Sequence, residues 1–376
     1  MPPTANKKFK VLIVDDSAFM RKVLETIFNA DDQLAVVGHA KDGREALTLA
    51  ESLKPDVITM DINMPHMDGL QATAQIMTTN PRPIVIVSSE SRDGAASTLK
   101  ALELGAIEFV AKPSSGIDLD MQSVKEDLVR KVRMAAKVRV VRTASRLAST
   151  LQKSNGEGGT QAAPATSRPA PSSVNHDQRF PVVVLAASTG GPATVMRLAP
   201  GFTRDFPAAV ILVQHMPAAF TTQYATQLAE FTGIRVKEAE ANESLQPGTL
   251  YICPGGQHLR VTPSGRIQLD GTSGRINGYL PNIDATMESV ASFAGPMSIG
   301  AILTGMGNDG TLGAKAIKAA GGLVLAQDEA TCVIFGMPAE AIKANAVDQV
   351  LGIDDIYAAI EKRVIGICRT SPVGVR

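Results

Sequence analysis

Two sets of residues in this chain have types and spacings that could do chemistry. In the first half, Asp15 and Asp16 follow the apolar run VLIV, Asp61 follows VITM, Ser88 follows IVIV and Lys112 follows EFVA. In the second half, VVVLAA runs into Ser188, Thr189 and two glycines. VILVQ runs into His215, and IGAILT runs into GMGNDG, which carries Asp309. Close carboxylates repel one another unless a divalent cation sits among them, and oxygen ligands with an incomplete shell suit Mg²⁺. A lysine and a hydroxyl on the same edge could hold the oxygens of a transferring phosphoryl group. A serine whose proton is taken by a histidine, itself oriented by a carboxylate, is the constellation of acyl transfer.

The elements that must position these residues follow from the patterning. From FKVLIVDD to IEFVAKP, short Val- and Ile-rich runs alternate with amphipathic stretches such as SAFMRKVLETIFNA and GREALTLAESL. Strands alternating with helices predict a parallel sheet covered on both faces. A second α/β pattern starts at Phe180, and its strand-like runs end at Ser188, His215 and the Asp309 loop. The fold class expected is therefore α/β: two doubly wound, Rossmann- or flavodoxin-like parallel-sheet domains. In each, the carboxyl ends of the strands share one edge, where ligand and catalytic sites gather. The stretch HLRVTPSGRIQL predicts an added β-hairpin that joins the second sheet. Between the halves, Gly, Ser, Pro and Ala replace the apolar periodicity, as a flexible linker would. The expected division is 1–139, a linker at 140–179, and 180–376.

Residue patterns alone leave alternatives open. An acidic residue at a strand end can simply cap a helix. ASTGG lacks the G-K-S/T ending of a P-loop, the G-x-G-x-x-G of a dinucleotide site and the G-x-S-x-G elbow. A serine and an early proline also suit a helix start, so the motif by itself does not choose. His258 is a second histidine of this half, and Asp328 and Asp284 compete with Asp309 for the acid role. Bulk numbers are more decisive. Among 376 residues the formal net charge is zero, aromatics are 4% and Trp is absent, which argues against a nucleic-acid binder or a base-stacking platform. No helix-turn-helix or basic helix follows residue 180, so a DNA-binding output domain lacks support. Cys253, Cys332 and Cys368 share no metal-ligand spacing, as expected of a reducing cytoplasm. No run has the length of a signal peptide's apolar core or a membrane span, so membrane insertion is not expected.

The first half resembles the receiver domains of two-component response regulators, through VDDS (14–17), MDINMPHMDG (60–69), VSS (87–89) and AKP (111–113). The resemblance implies that Asp61 accepts a phosphoryl group from a chemotaxis histidine kinase. It also implies that Asp15, Asp16, Asp61 and the backbone carbonyl of Asn63 hold Mg²⁺, that Ser88 and Lys112 read the phosphate, and that Phe109 is the aromatic switch residue. The second half resembles the catalytic domain of chemotaxis protein-glutamate methylesterases, the CheB-type response regulators. Its carriers are ASTGGP, QHMP (214–217), CPGGQH (253–258) and LTGMGNDG (303–310); Ala186 stands where the family often has Gly. This implies Ser188 as nucleophile, His215 as base and Asp309 as its orienter, with the Met306 N–H, Thr189 and Gly190 around the oxyanion and no cofactor in this domain. The implied substrates are glutamyl methyl esters, and glutamine amides, on methyl-accepting chemotaxis receptors. Two readings of another class, a phospho-dependent scaffold and a hydrolase of small esters, remain to be separated by assay.

Overall fold

The computed structural model describes residues 8–88, 92–112, 121–138 and 180–370; the expected linker at 140–179 lies outside them. In the N-terminal half the five apolar runs are the strands β1 (Phe9–Val14), β2 (Leu34–Ala40), β3 (Val57–Met60), β4 (Ile84–Ser88) and β5 (Glu108–Ala111). They form a wholly parallel sheet in the order β2-β1-β3-β4-β5, the flavodoxin-like arrangement. The connecting helices are α1 (Ala18–Asn29), α2 (Gly43–Leu53), α3 (Gly69–Thr79) and α4 (Arg92–Glu103), with α5 (Met121–Ala135) last. The side chains of Ser17, Asp42 and Asp68 accept from the first turns of α1, α2 and α3, satisfying N–H groups that have no partner within the helix.

The C-terminal half builds a seven-stranded sheet. In chain order its elements are β6 (Val182–Ala187), α6 (Gly191–Leu198), β7 (Ala209–Gln214), α7 (Ala218–Ala229), β8 (Arg235–Glu238) and β9 (Thr249–Ile252). Then come β10 (His258–Val261), β11 (Ile267–Asp270), α8 (Ile283–Ala294), β12 (Ser298–Ile302), α9 (Thr311–Ala319) and β13 (Leu323–Gln327). The half ends with α10 (Met337–Lys343), β14 (Gln349–Leu351) and α11 (Ile353–Thr370). The sheet order is β14-β13-β12-β6-β7-β9-β8, parallel throughout. Strand order reverses at the β6/β12 boundary, the place where an open α/β sheet leaves a crevice at its carboxyl edge.

One expectation is corrected. β10 and β11 do pair as an antiparallel hairpin, but in a two-stranded sheet of their own. The cause lies in α8. Ser289 Oγ accepts the Val261 N–H at 2.9 Å and Thr286 Oγ1 donates to the Leu259 carbonyl at 2.7 Å, so backbone groups of β10 are committed to the helix. The sheet edges are instead β8 and β14, two short strands absent from the sequence reading. RVKE and QVL are largely polar or exposed, as edge strands tend to be, and so lack an apolar signature.

The two halves touch. α4 packs on α6 and α7. The rings of Phe109 on β5 and Phe220 on α7 lie 4.4 Å apart, and one buried apolar cluster runs through both. Beside them Gln227 donates to Glu103. Among the described residues no helix is long and apolar enough to cross a membrane.

Candidate active site and phosphoacceptor pocket

Register brings the second set of residues together. Ala187 at the end of β6 pairs with Gln214 at the end of β7, and Ile302 of β12 pairs with Ala186. The next residues out are therefore Ser188, His215 and the 303–310 loop, stitched by His215 N–H to the Ala187 carbonyl (3.1 Å) and Ser188 N–H to the Thr304 carbonyl (3.0 Å). Ser188 Oγ lies 3.1 Å from His215 Nδ1, and His215 Nε2 lies 2.8 Å from Asp309 Oδ2. An ionised carboxylate only accepts, so Nε2 carries the proton and Nδ1 offers its lone pair to the hydroxyl. The ring is used the other way round from the chymotrypsin pattern, in which Nε2 faces the serine.

Asp309 is buried, 1% exposed, and its charge needs partners. Besides His215 it accepts from Asn282 Nδ2 (2.9 Å) and from the N–H groups of Ile283 (2.8 Å), Asp284 (3.0 Å) and Gly310 (3.0 Å). Ile283 and Asp284 open α8, so the carboxylate sits on the positive end of a helix. The competing carboxylates have other work. Asp328 accepts from the N–H and hydroxyl of Thr331, and Asp284 accepts from Gly313 N–H at the start of α9. Burial pushes the Asp284 carboxyl up to about 6, with the nearby Asp309 charge adding to the effect. His258 is held by Gly274 and Asn282.

Ser188 leads into α6 through Gly190, whose φ of +76° is left-handed; a Cβ there would also stand 2.5 Å from Val333 Cβ. Thr189 and Gly190 are buried beneath the serine, and Pro192 lies in the first turn of α6. Met306 lies across from them, one residue past Gly305, whose own added Cβ would meet Ser188 Cβ at 2.7 Å. Among the described residues the N–H groups of Thr189 and Met306 donate to no protein acceptor.

Three residues of this site were not legible in the sequence. Gln214, buried at the end of β7, donates from Nε2 to the carbonyls of both Ser188 (2.8 Å) and His215 (3.3 Å), tying the two together. Asn282 is the cap of α8 and a partner of Asp309. Tyr279 stacks on the His215 ring, centroids 4.9 Å apart and planes within 15°. It is carried by a two-residue turn in which Ile276 and Tyr279 exchange both backbone hydrogen bonds while Asn277 and Gly278 have positive φ. The Asn-Gly dipeptide was the available signal for that turn.

In the other half, oxygens of Asp15, Asp16 and Asp61 lie within 4.8 Å of one another, as expected from their strand ends. Lys112 Nζ stands 2.9 Å from Asp15 Oδ2 and 2.8 Å from Asp61 Oδ2. Burial raises the Asp61 pKa and Lys112 offsets part of that rise. Ser88 is buried on the adjacent strand end, its carbonyl accepting from Lys112 N–H at 2.8 Å, and Asn63 is exposed two residues past Asp61. Phe109, 3% exposed, lies against Phe220, with the Lys131 ammonium 5.3 Å from its ring centroid.

A flavodoxin-like domain with an acidic, lysine-bearing edge is thus joined to a second parallel α/β domain with a hydroxyl–imidazole–carboxylate cluster at its switch point. Residues 11–122 match the response regulator receiver domain family, and residues 183–360 match the CheB methylesterase family. The chain belongs to the CheB methylesterase family, in its form with a receiver domain ahead of the catalytic domain. Among its relatives, the protein-glutamate methylesterase/protein-glutamine glutaminase of Pyrococcus horikoshii is 40% identical over 364 residues, covering 96% of this chain and 95% of the relative. Protein-glutamate methylesterase/protein-glutamine glutaminase 2 of Nitratidesulfovibrio vulgaris is 44% identical over 378 residues, covering 93% and 98%. A solved structure, the Thermotoga maritima CheB methylesterase catalytic domain, is 38% identical, covers 49% of this chain and 98% of its own, and has a TM-score of 0.46.

Proposed function

We propose that this chain is a phosphorylation-activated, cytoplasmic protein-glutamate methylesterase and protein-glutamine deamidase acting on chemoreceptors, with regulatory, linking and catalytic parts at 1–139, 140–179 and 180–376. The observation that carries the reading is the hydrogen-bonded line from Ser188 Oγ through His215 to the buried Asp309. Ser188 Oγ attacks the γ-carbonyl carbon of a glutamyl methyl ester while its proton passes to His215 Nδ1. The carbonyl π electrons collect on oxygen, facing the N–H groups of Met306, Thr189 and Gly190 and the N-terminus of α6. One such donor is worth about 3 kcal/mol in a transition state. Collapse breaks the bond to the methoxy oxygen, which takes the proton from His215 and leaves as methanol. Water then attacks the acyl-enzyme with His215 as base, restoring Ser188 and releasing the glutamate carboxylate. With a glutamine side chain the leaving group is ammonia.

The receiver pocket fits a divalent cation. Three carboxylates converge on the one ammonium of Lys112, while the neighbouring Arg21 guanidinium donates to the carbonyls of Asp15 and Asp16 rather than to their carboxylates. In this reading Asp15, Asp16, Asp61 and the Asn63 carbonyl hold Mg²⁺, which would offset charge on the transferring phosphoryl oxygens. An Asp61 oxygen attacks the phosphorus of a histidine kinase's phosphohistidine, whose N–P bond breaks. The new charge is drawn to Ser88 and Lys112. Control of the esterase is supported by the contact between the halves. α4 and Phe109 rest on α6 and α7, and Arg130 of α5 reaches to 3.7 Å from Met306 Sδ, over the oxyanion loop. Phosphorylation shifts this covered arrangement toward an open one.

The test is methanol release from methylated receptors, with and without a small phosphodonor. Loss of release in Ser188→Ala and His215→Gln, and stimulation that disappears in Asp61→Ala, are expected. Full release from Ser188→Ala would remove the assignment. Side-by-side assay of small esters separates the receptor enzyme from a general hydrolase.

A further inference from the structure

The run CPGGQH contributes a histidine that the proposed reaction does not use. His258 opens β10 and is 1% exposed, yet both of its ring nitrogens are engaged. The Asn282 N–H donates to Nδ1 at 3.1 Å, so Nδ1 holds a lone pair. Nε2 lies 2.7 Å from the Gly274 carbonyl, which only accepts, so Nε2 holds the proton. A single neutral tautomer satisfies both contacts.

The Nδ1 contact leads to the reacting groups. Asn282 is itself buried, 1% exposed. Its Nδ2 donates to Asp309 Oδ1 at 2.9 Å, and its Oδ1 accepts from Ala285 N–H at 2.8 Å, capping α8. The next two N–H groups of the chain, those of Ile283 and Asp284, donate to the same carboxylate. Three donors to Asp309 are therefore set by where the Asn282 backbone lies, and His258 is what receives that backbone's N–H. The Nε2 contact leads to the loop between β11 and Tyr279, whose Ile276 carbonyl also accepts from Asn282 Nδ2 at 3.3 Å.

We propose that His258 is a positioning residue for the ester hydrolysis, an inference that rests on the function proposed above. Its Nδ1 lone pair fixes Asn282, which aims the Asp309 carboxylate at His215 Nε2. The role is assigned to the acceptor at Nδ1; the Nε2–H tie to Gly274, in the loop that carries Ile276 and Tyr279, is the second contact, and the variants below separate the two.

Side-chain geometry makes the two contacts distinguishable. The Asn Oδ1 falls near the His Nδ1 position and can accept, whereas the Gln Nε2 falls near the His Nε2 position and can donate. In the full-length protein with a small phosphodonor, His258→Asn keeps the Asn282 acceptor and holds kcat for receptor demethylation within about threefold of wild type. His258→Gln keeps only the Gly274 anchor and loses about tenfold or more in kcat, the scale of one buried donor left unpaired, with KM within about twofold. The low-field proton signal of His215 Nε2–H shifts in the Gln variant and not in the Asn variant. Equal rates in the two variants, or the reverse order, overturn the proposal. Should His258→Gln yield no folded protein, His258→Asn decides alone: a tenfold loss in it overturns the proposal. Ser188→Ala run alongside keeps the levels apart. Release surviving in that control overturns the functional reading and this inference together. A dead control with a wild-type rate in His258→Gln overturns the positioning role only.

Discussion

Replacing Asp309 by Asn changes one oxygen to an amide nitrogen and tests the relay most directly. Oδ2 accepts from His215 Nε2–H and Ile283 N–H, while Oδ1 accepts from Asn282 Nδ2, Asp284 N–H and Gly310 N–H. The amide nitrogen must face one set of donors. Facing Oδ2's two is less costly than facing Oδ1's three, so the NH₂ turns toward His215 and Ile283. The imidazole can then satisfy the amide only by moving its proton to Nδ1. In that tautomer Nδ1–H points at Ser188 Oγ, and the base can no longer take the hydroxyl proton. The expected loss in kcat approaches ~10⁴, about 5.5 kcal/mol of barrier. Leaving the Ile283 N–H unpaired costs about 1–3 kcal/mol of stability in addition, a fall in Tm of several degrees for a domain of this size. Initial rates of methanol release at saturating receptor, alongside a melting curve, measure both effects. A loss of less than tenfold in a folded protein would refute the reasoning, because a carboxylate that fixes the tautomer cannot be neutralised so cheaply. Asp328→Asn serves as the comparison, with rates expected within about threefold, since Asp328 is bound to its own turn.

Other outcomes follow from contacts already described. Tyr279→Leu removes the ring stacked on His215 and is expected to lower kcat several-fold, the scale of an aromatic pair, while Tyr279→Phe restores it; equal losses in both variants would shift the role to the hydroxyl. The Asp284 carboxyl, raised to about 6 by burial, binds its proton more tightly folded than unfolded. Its stabilising contribution is therefore present below the unfolded value near 3.8 and is lost as pH rises through about 6. Asp284→Asn keeps an oxygen for Gly313 N–H, so its Tm relative to wild type should rise between pH 4.5 and pH 8; a difference that does not change with pH would contradict the assignment. A chain beginning at Phe180 lacks the receiver and should hydrolyse faster than the unphosphorylated full chain, with no response to phosphodonor; identical rates would leave the covering contact without a regulatory role.

What could be read from sequence was whatever lay at the end of an apolar strand. Ser188, His215 and Asp309 each follow such a run, as do Asp15, Asp61 and Ser88, and a parallel sheet gathers strand ends on one edge whatever the intervening chain does. The groups that hold those side chains in place were not readable. Gln214 looked like the last residue of a strand, and its amide matters only because two backbone carbonyls converge on it. Asn282 is separated from Asp309 by a helix and a strand, and nothing in PNID announces that α8 points its N-terminus at a carboxylate. The hairpin was visible as a hairpin, but its place was decided by Ser289 and Thr286 on α8 rather than by its own alternation. β8 and β14 escaped because edge strands need no continuous apolar face.

The pairing of Phe109 with Phe220 has a thermal consequence. A seam centred on two aromatic rings draws its cohesion largely from apolar burial, and that cohesion weakens on cooling. A contact held this way is looser in the cold than in the warm. On the function proposed above, background hydrolysis as a fraction of the fully phosphorylated rate should then grow as temperature falls.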